Sequence, residues 1–343
     1  MNLSKIVIAA AATFSVMSGS VLAQEVTLRL HQFLPAQAGV VASVVIPWAE
    51  RIEEQSNGRI AVEVFSSMQL GGAPSQLFDQ ARDGVVDIAW TVLSYTPGRF
   101  PKTEVFELPF VSASSEASSR AFMRFVDENA MDEFKDVHLI TAHVHGPGLL
   151  HANRPIARAE DLMGMKIRGG SRVVSEMLAA LGAEPIGMPI PGVPEALSKG
   201  VIDGTTLPWE IVPSLHLEEL VHNHTEFEGN KALFTLPFAM VMNKDRYESL
   251  PDDLKAVIDR NSGIELASEF GAYLDAGDQR GRDITAATGK NHIVMISGEE
   301  LKPFEAAADQ INAVWISQTE GGQALFDAAT ALIAEETEKM SAN

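Results

Sequence analysis

The order of secondary-structure signals near the amino terminus constrains the fold of this chain most strongly. Val26–His31 alternates apolar and polar residues as a half-buried strand does, and Ile60–Phe65 and Val85–Ala89 are predicted as the next two strands. Between them, Ala42–Gln55 and Ser75–Arg82 have the apolar spacing of helices, and glycines close the joints. Strands and helices that alternate with short connections form parallel sheets. The sequence therefore predicts an α/β fold.

The rest of the chain extends this pattern. With 343 residues, 46% of them hydrophobic, two domains are more favourable than one. Phe234–Asn243 is predicted as a strand that returns to the first domain. Apolar residues keep helical spacing from Pro251 to Leu274, which predicts one long helix with weak points at Gly263 and Gly271. Residues 299–338 are predicted to form acidic surface helices over the second domain.

Two segments of the chain resemble each other. Ser75–Trp90 and Pro194–Trp209 each contain a short helix, a glycine, two β-branched residues and an aspartate, and each ends in tryptophan. Two domains of similar construction would bring these segments to a shared crevice. The match covers four residues, which suggests two similar segments but is too short to prove an internal duplication.

The first 23 residues have the features of an export signal. Lys5 precedes the apolar run Ile6–Met17, and small residues follow up to Ala23. We expect the mature chain to begin near Gln24, to be periplasmic and to have no stable membrane insertion, because no later apolar stretch is long enough to span a bilayer. The absence of cysteine excludes lipoprotein anchoring, disulfides and a thiolate catalyst.

The formal net charge of −20 narrows the range of partners. A strongly acidic protein is unsuited to nucleic acid and to anionic membranes. An anionic ligand must be held by a local cation against the field of the whole chain. A single arginine in a cleft is therefore a strong candidate for the group that binds an anionic ligand in this chain.

Arg168 is the cation that the sequence places best for this purpose. Met165–Ile167 has the alternation of a short strand, a Gly-Gly pair ends it, and Ser171 is a suitable N-cap for the next helix. This puts Arg168 at the carboxyl end of a strand, where open α/β sheets form ligand crevices. Its guanidinium suits a carboxylate. That carboxylate belongs either to a ligand or to a neighbouring side chain of the protein.

The sequence gives no positive signal for catalysis. It lacks the common nucleophile, phosphate-binding and zinc-protease motifs, and its paired carboxylates are adjacent on predicted helices and face apart. His143-x-His145 and His222-x-His224 have no fixed third ligand, so we predict no metal and no cofactor. Phe33, Trp90 and Trp209 lie at predicted strand ends, either as core residues or as the wall of a pocket.

Five segments carry a family resemblance: LGGAPSQLFDQARDGVVDIAW (70–90), EVFELPF (104–110), NRPIARAEDLMGMKIRGG (153–170), ALGAEPIGMP (180–189) and GVIDGTTLPWE (200–210). Together they resemble the DctP-like substrate-binding proteins of tripartite ATP-independent periplasmic (TRAP) transporters, and the likeness covers essentially the whole mature chain.

The resemblance implies a two-domain, type II-like periplasmic binding protein. We expect mixed sheets flanked by helices, a ligand cleft between the domains and a long helix that spans both. The expected division is 24–147 plus 233–273 for domain 1 and 148–232 plus 274–340 for domain 2. The resemblance also implies that Arg168 grips a ligand carboxylate, and that a small and a large membrane subunit take up the ligand with sodium.

Departures from the sialic-acid members of this family indicate a less polar ligand. Polar contacts of those proteins align here with Gly148, Leu207, Val92 beside Thr91, and Phe33. A sugar acid would leave hydroxyls without partners, at about 1–3 kcal/mol each. We therefore favour an aromatic or otherwise apolar monocarboxylate. The remaining alternatives are a sugar acid or short dicarboxylate, an extracytoplasmic enzyme, and a sensor-associated binding protein.

The hypothesis assigns particular residues to the ligand. The aromatic body would lie near Phe33, Trp90 and Trp209, and a ring hydroxyl would contact one of several polar groups. The predicted ligand-binding residues are Arg168, Trp90, Phe33, Trp209, Leu207, Thr91, Val92, Thr206, Gly148, His145 and Tyr95, of which Tyr95, His145, Thr91 and Thr206 are the candidates for the hydroxyl.

Overall fold

A computed structural model describes residues 24–230 and 232–342 of the chain. The predicted export signal, residues 1–23, lies outside the described residues. Within the described part, no helix is long and apolar enough to cross a membrane.

The first sheet has five strands, in the order β2-β1-β3-β10-β4. β1 pairs in parallel with β2 and β3, whereas β10 is antiparallel to both β3 and β4. The parallel part predicted from the amino-terminal alternation is thus confirmed, and β10 returns to this sheet as expected. The strands are β1 (Val26–His31), β2 (Ile60–Phe65), β3 (Ile88–Val92), β4 (Val137–Val144) and β10 (Pro237–Asn243).

The second sheet has six strands, in the order β11-β9-β5-β8-β6-β7. β6 is parallel to β7 and β8, and β5 is antiparallel to β8 and β9, so this sheet is also mixed. The strands are β5 (Leu149–Ala152), β6 (Lys166–Gly169), β7 (Glu184–Gly187), β8 (Gly204–Leu207), β9 (Asn223–Phe227) and β11 (His292–Ile296).

Helices flank both sheets, and one long helix connects them. The helices are α1 (Ile46–Gln55), α2 (Leu77–Arg82), α3 (Ser115–Phe125), α4 (Arg172–Ala180), α5 (Val193–Ser198), α6 (Ile211–Ser214), α7 (Lys244–Glu248), α8 (Asp252–Arg260), α9 (Ile264–Ala287), α10 (Lys302–Gln318) and α11 (Gly322–Ser341). The predicted two-domain α/β fold with mixed sheets is confirmed.

The long helix α9 contacts both halves of the molecule. At its start, the Gly263 carbonyl accepts the Thr141 hydroxyl of β4 at 2.9 Å. Near its other end, Arg282 donates to Glu226 of β9 at 2.6 Å. The expected helix between the domains is therefore present, and it is bonded to a strand of each sheet.

The two similar segments form the same local structure in the two sheets. After α2 and after α5, a glycine with positive φ ends the helix and the chain turns into a strand. Asp87 accepts the backbone N–H of Arg29 at 2.8 Å, and Asp203 accepts that of Lys166 at 2.9 Å. Each aspartate thus ties its turn to a neighbouring strand. The strands that follow, β3 and β8, lead to the space between the sheets.

Three details of the sequence interpretation were wrong. The third strand begins at Ile88, because Val85 and Val86 form the turn after α2 and both donate to the Gln80 carbonyl. The long helical pattern is broken at Gly263, whose φ of 77° ends the continuity between α8 and α9. The last helix, α11, packs on α3 of the first half and not over the second sheet.

Candidate ligand-binding site

A cavity lies between the two sheets, and both sheets contribute to its wall. It holds about 530 Å³ of space outside the protein atoms, including its opening to solvent. Its lining has the composition of small-molecule sites, which are mostly apolar with a few placed polar groups. The loop after β1 and strands β3 and β10 supply the aromatic side. Opposite them, β6 supplies the cation and β8 supplies Thr206 and Leu207.

Stacked aromatic rings form the wall from the first sheet. The ring of Phe33 lies 5.8 Å from that of Trp90 with an interplanar angle of 12°, and Phe238 lies 5.2 Å from Trp90. Tyr95 meets Phe33 edge-on at 5.7 Å. Trp90 is fully buried, and its indole N–H donates to His143 at 2.9 Å. The wall thus offers broad apolar faces whose polar atoms are already bonded.

Arg168 is a buried cation without a counter-charge. Its side chain is 1% exposed, Nε donates to the Met188 carbonyl at 2.9 Å and Nη1 donates to the Thr206 carbonyl at 3.1 Å. Among the described residues, Nη2 has no hydrogen-bond partner and no carboxylate forms an ion pair with the guanidinium. A buried charge is costly unless it is paired. The alternative that Arg168 serves a protein carboxylate is therefore excluded for the described residues, and the site fits an anion.

Burial and the Tyr95 hydroxyl set the electrostatics around Arg168. Burial lowers the pKa of the guanidinium, and the neighbouring Tyr95 offsets part of this effect. Burial raises the pKa of the Tyr95 hydroxyl, and the charge of Arg168 partly offsets this rise. Tyr95 also accepts the backbone N–H of Ile190 at 3.0 Å. This bond joins the first half of the chain to the second beside the cation.

Two histidines line the cavity as neutral rings. Burial lowers the pKa of His143 to about 3 and that of His145 to about 4. Both are therefore uncharged near neutral pH. The His143 ring stacks on Phe270 at 4.0 Å and bonds Trp90, which makes it part of the aromatic packing.

A carboxyl group closes the cavity on the side of α9. Glu210 accepts the backbone N–H of Val40 at 3.2 Å, which is a second polar contact between the two halves. Burial raises the pKa of Glu210 to about 7. Its negative charge is thereby reduced in a cavity that faces an anion-binding group.

Most of the predicted residues converge on this cavity. Eight of the eleven line it: Phe33, Trp90, Val92, Tyr95, His145, Arg168, Thr206 and Leu207. Thr91 does not line it, because successive side chains of β3 point to opposite faces and Trp90 and Val92 take the cavity face. Gly148 packs against Phe234, whose ring lies 2.3 Å from the position of an added Cβ.

The prediction that Trp209 forms part of the wall was wrong. Pro208 follows β8 and turns the chain, so that the Trp209 ring packs near His151 and His224 at about 5 Å. Its indole N–H donates to Glu226 at 2.8 Å. Trp209 therefore belongs to the second sheet and its contact with α9, outside the ligand cavity.

Sequence reasoning missed ten lining residues. Phe238 had the clearest signal, because the predicted strand FTLPFAMVMN places an aromatic residue near its start, beside Val92 across the sheet. The others come from β4, α6, α9 and the loops, whose approach to the cavity has no local signal. The missed residues are Leu34, Val40, His143, Ile190, Pro208, Glu210, Ile211, Leu236, Phe238 and Leu274.

The fold and the cavity together define a two-domain binding protein for a small anionic solute. Residues 34–318 match the DctP family, described as bacterial extracellular solute-binding protein, family 7. The chain belongs to this family, and the resemblance found in the sequence is confirmed.

Known proteins of this kind include several with solved structures. A TRAP solute-binding protein from a marine metagenome, specific for aromatic acids, is 47% identical; the match covers 91% of this chain and 99% of that one with a TM-score of 0.89. It was solved with metahydroxyphenylacetate, and with 3-hydroxybenzoate in a related structure. A TRAP solute-binding protein from Rhodoferax ferrireducens T118, with copurified benzoate, is 43% identical, with 92% and 99% covered and a TM-score of 0.89.

A curated relative is more distant. The C4-dicarboxylate-binding periplasmic protein DctP of Rhodobacter capsulatus is 26% identical over 69% of this chain and 74% of its own length. Proteins of this family are extracytoplasmic and bind solutes for membrane subunits. The chain is therefore a TRAP-type solute-binding protein, a non-enzymatic class of transport component.

Proposed function

We propose that this protein captures a small aromatic monocarboxylate between its two domains. The observation that carries the proposal is the buried guanidinium of Arg168, which has a free N–H on Nη2 and faces a wall of stacked aromatic rings. A carboxylate attached to an aromatic ring satisfies both features, because it pairs with the cation and its ring packs on Phe33 and Trp90.

The lining disfavours the alternative ligands. Arg168 is the only lysine or arginine among the described lining residues, so a second carboxylate of a dicarboxylate would have no cation to pair with. A sugar acid would bury several hydroxyls against apolar side chains. The complexes of similar proteins with metahydroxyphenylacetate and benzoate support an aromatic acid.

Binding is proposed to proceed by closure of the two halves around the ligand. The carboxylate meets Arg168 on the second half, and the ring then contacts the aromatic wall of the first half. The bonds from Ile190 to Tyr95 and from Val40 to Glu210 form only when the halves meet. A ligand that touches both halves favours the closed form by its differential affinity.

Delivery and location follow from the same proposal. We infer that residues 1–23 direct export and are removed near Gln24, and that the loaded protein docks on a small and a large TRAP membrane subunit for sodium-coupled uptake. The intact mass of the exported protein tests the cleavage. Uptake of labelled ligand by vesicles that contain the two subunits tests the delivery.

A thermal-shift screen of refolded, ligand-free protein tests the proposed ligand class. The panel contains benzoate, hydroxybenzoates, phenylacetates, dicarboxylates and uronates, with benzamide as a neutral copy of benzoate. A ligand at 100 times its dissociation constant adds about 2.7 kcal/mol of stability. We expect stabilisation by aromatic acids and none by benzamide.

The same screen can refute the proposal. Stabilisation by uronates or dicarboxylates alone would contradict an apolar, single-cation site. Recovery of the bound acid unchanged after long incubation is expected for a binding protein. Conversion of the acid would instead support the enzyme alternative.

A further inference from the structure

His145 offers the cavity a hydrogen-bond acceptor that no described residue uses. His145 follows β4, is 7% exposed and lines the cavity. Its Nδ1 lies 2.5 Å from the Gly146 carbonyl oxygen. The other ring nitrogen, Nε2, forms no hydrogen bond with any described residue. Because Nδ1 contacts the backbone carbonyl, Nε2 is the ring nitrogen that is available to a ligand in the cavity.

The contact of Nδ1 fixes the tautomer of His145. A carbonyl oxygen only accepts hydrogen bonds, so Nδ1 must carry the proton. Burial keeps the ring neutral, because it lowers the pKa to about 4. A neutral imidazole with its proton on Nδ1 has a lone pair on Nε2. His145 therefore offers an acceptor to the cavity and no donor.

His143 shows the same arrangement with the acceptor in use. Its Nδ1 lies 3.2 Å from the Val144 carbonyl, and its Nε2 accepts the indole N–H of Trp90 at 2.9 Å. The two histidines are two residues apart on the same face of the chain. Among the described residues, Nε2 of His143 has a donor and Nε2 of His145 has none.

The other polar groups of the cavity are engaged differently. The Thr206 hydroxyl donates to the Arg168 carbonyl at 3.1 Å. Tyr95 already accepts from Ile190, which leaves its O–H as a donor. Glu210 accepts from Val40. Of the four groups predicted for a ligand hydroxyl, Thr91 is outside the cavity, and His145 alone presents only an acceptor.

We propose that His145 selects hydroxyl-bearing aromatic acids by accepting the ligand O–H at Nε2. The proposal rests on the function proposed above and adds a specificity-determining residue to it. A phenol or α-hydroxyl can donate to Nε2, whereas a hydrogen or a methoxy group at the same position cannot. The protein therefore favours the hydroxy acid that places its O–H at His145 over the unsubstituted and methoxy acids.

Calorimetry with matched ligands tests this selection. The panel is benzoate, the three hydroxybenzoate isomers, mandelate, phenylacetate and the corresponding methoxy acids. One net hydrogen bond to a neutral group predicts that the best hydroxy acid binds wild type about three- to tenfold more tightly than its parent acid. In His145→Phe, which keeps a flat ring and removes the acceptor, that ratio is expected to fall to about one.

A second measurement does not depend on the stability of the variant. The nitrogen NMR signal of Nε2 in wild-type protein is expected to move on binding the best hydroxy acid and to move less with its parent. No preference in wild type, an unchanged preference in His145→Phe, or an unmoved signal would each overturn the assignment, and an unchanged preference would point to Glu210. Failure of benzoate itself to bind would instead contradict the proposed function.

Discussion

At the scale of single residues, Arg168 combines burial with an N–H group that no described residue accepts, and a buried cation of this kind needs an anion. The strand–Gly-Gly–N-cap pattern was sufficient to place Arg168 at the end of β6. This local pattern could not exclude a protein carboxylate as the partner of Arg168, because such a carboxylate would come from a part of the chain that is distant in sequence. The expectation that Trp209 lines the cavity as Trp90 does was wrong for a local reason. Trp90 lies within β3, whereas Pro208 separates Trp209 from β8.

Glu107 is a buried acid beside Ser94 and Ser171, and its protonation was not predictable from the sequence. It is 2% exposed, and the Ser94 hydroxyl donates to it at 2.5 Å. Burial and the nearby Glu104 raise the pKa of the Glu107 carboxyl to about 8. Between pH 4.5 and 8 the unfolded chain loses this proton and the folded chain keeps it. Glu107 therefore makes folding less favourable as pH rises through this window.

Replacement of Glu107 by Gln is expected to remove this pH dependence. Each unit by which the pKa is raised corresponds to about 1.4 kcal/mol. The Tm of Glu107→Gln should rise relative to wild type by several degrees as pH is raised from 4.5 to 8. Glu63→Gln, at an exposed position of β2, serves as the control and should follow wild type. A constant Tm difference for Glu107→Gln across this range would contradict a protonated Glu107.

At the scale of elements, periodicity located helices but misjudged their glycines. Gly263 does break the helix, and its N–H donates to the Ile140 carbonyl of β4 at 2.7 Å. Gly271 was interpreted as a weak point, yet it is where α9 and α3 come closest: an added Cβ would lie 2.4 Å from Glu116 Cα. In the sequence, a glycine that allows two helices to pack closely cannot be distinguished from a glycine that ends a helix.

An ion pair joins an element of the first half of the molecule to an element of the second. Arg172, the first residue of α4, donates to Glu104 of the turn Thr103–Glu107 at 2.7 Å. It also donates to Glu176 within α4 at 2.8 Å. Only the first of these bonds joins the two halves of the molecule, so only that bond should hold the closed form.

We expect Glu104→Gln to speed ligand release and Glu176→Gln to leave it unchanged. Partly exposed ion pairs contribute about 0.2–1 kcal/mol, which predicts a dissociation rate about two- to fivefold faster for Glu104→Gln. Stopped-flow tryptophan fluorescence, to which Trp90 in the cavity wall contributes, measures this rate. Equal effects of the two variants would contradict a role for the ion pair in closure.

At the scale of the whole molecule, alternation of strands and helices was sufficient to predict the parallel part of the first sheet. It could not predict which element covers α3, because an amphipathic pattern shows that a face is buried and not what buries it. The covering helix is α11, where Glu336 pairs with Arg120 at 2.9 Å and with Arg124 at 2.8 Å. The division of the chain between 24–147 plus 233–273 and 148–232 plus 274–340 remains a proposal. The contacts of α11 favour moving that helix to the first part.

The central claim is that Arg168 binds the carboxylate of an aromatic acid, and calorimetry with benzoate measures it most directly. Wild type is compared with Arg168→Ala, Arg168→Lys and the exposed control Arg158→Ala, after melting curves show that each is folded. Loss of a buried charge pair is expected to weaken binding by about 2–5 kcal/mol in Arg168→Ala. The benzoate affinity of Arg168→Lys should lie between those of wild type and Arg168→Ala, because an ammonium keeps the positive charge but lacks the paired N–H donors of the guanidinium. The affinity of Arg158→Ala should equal that of wild type. Benzoate affinity in Arg168→Ala equal to that of wild type would contradict the account.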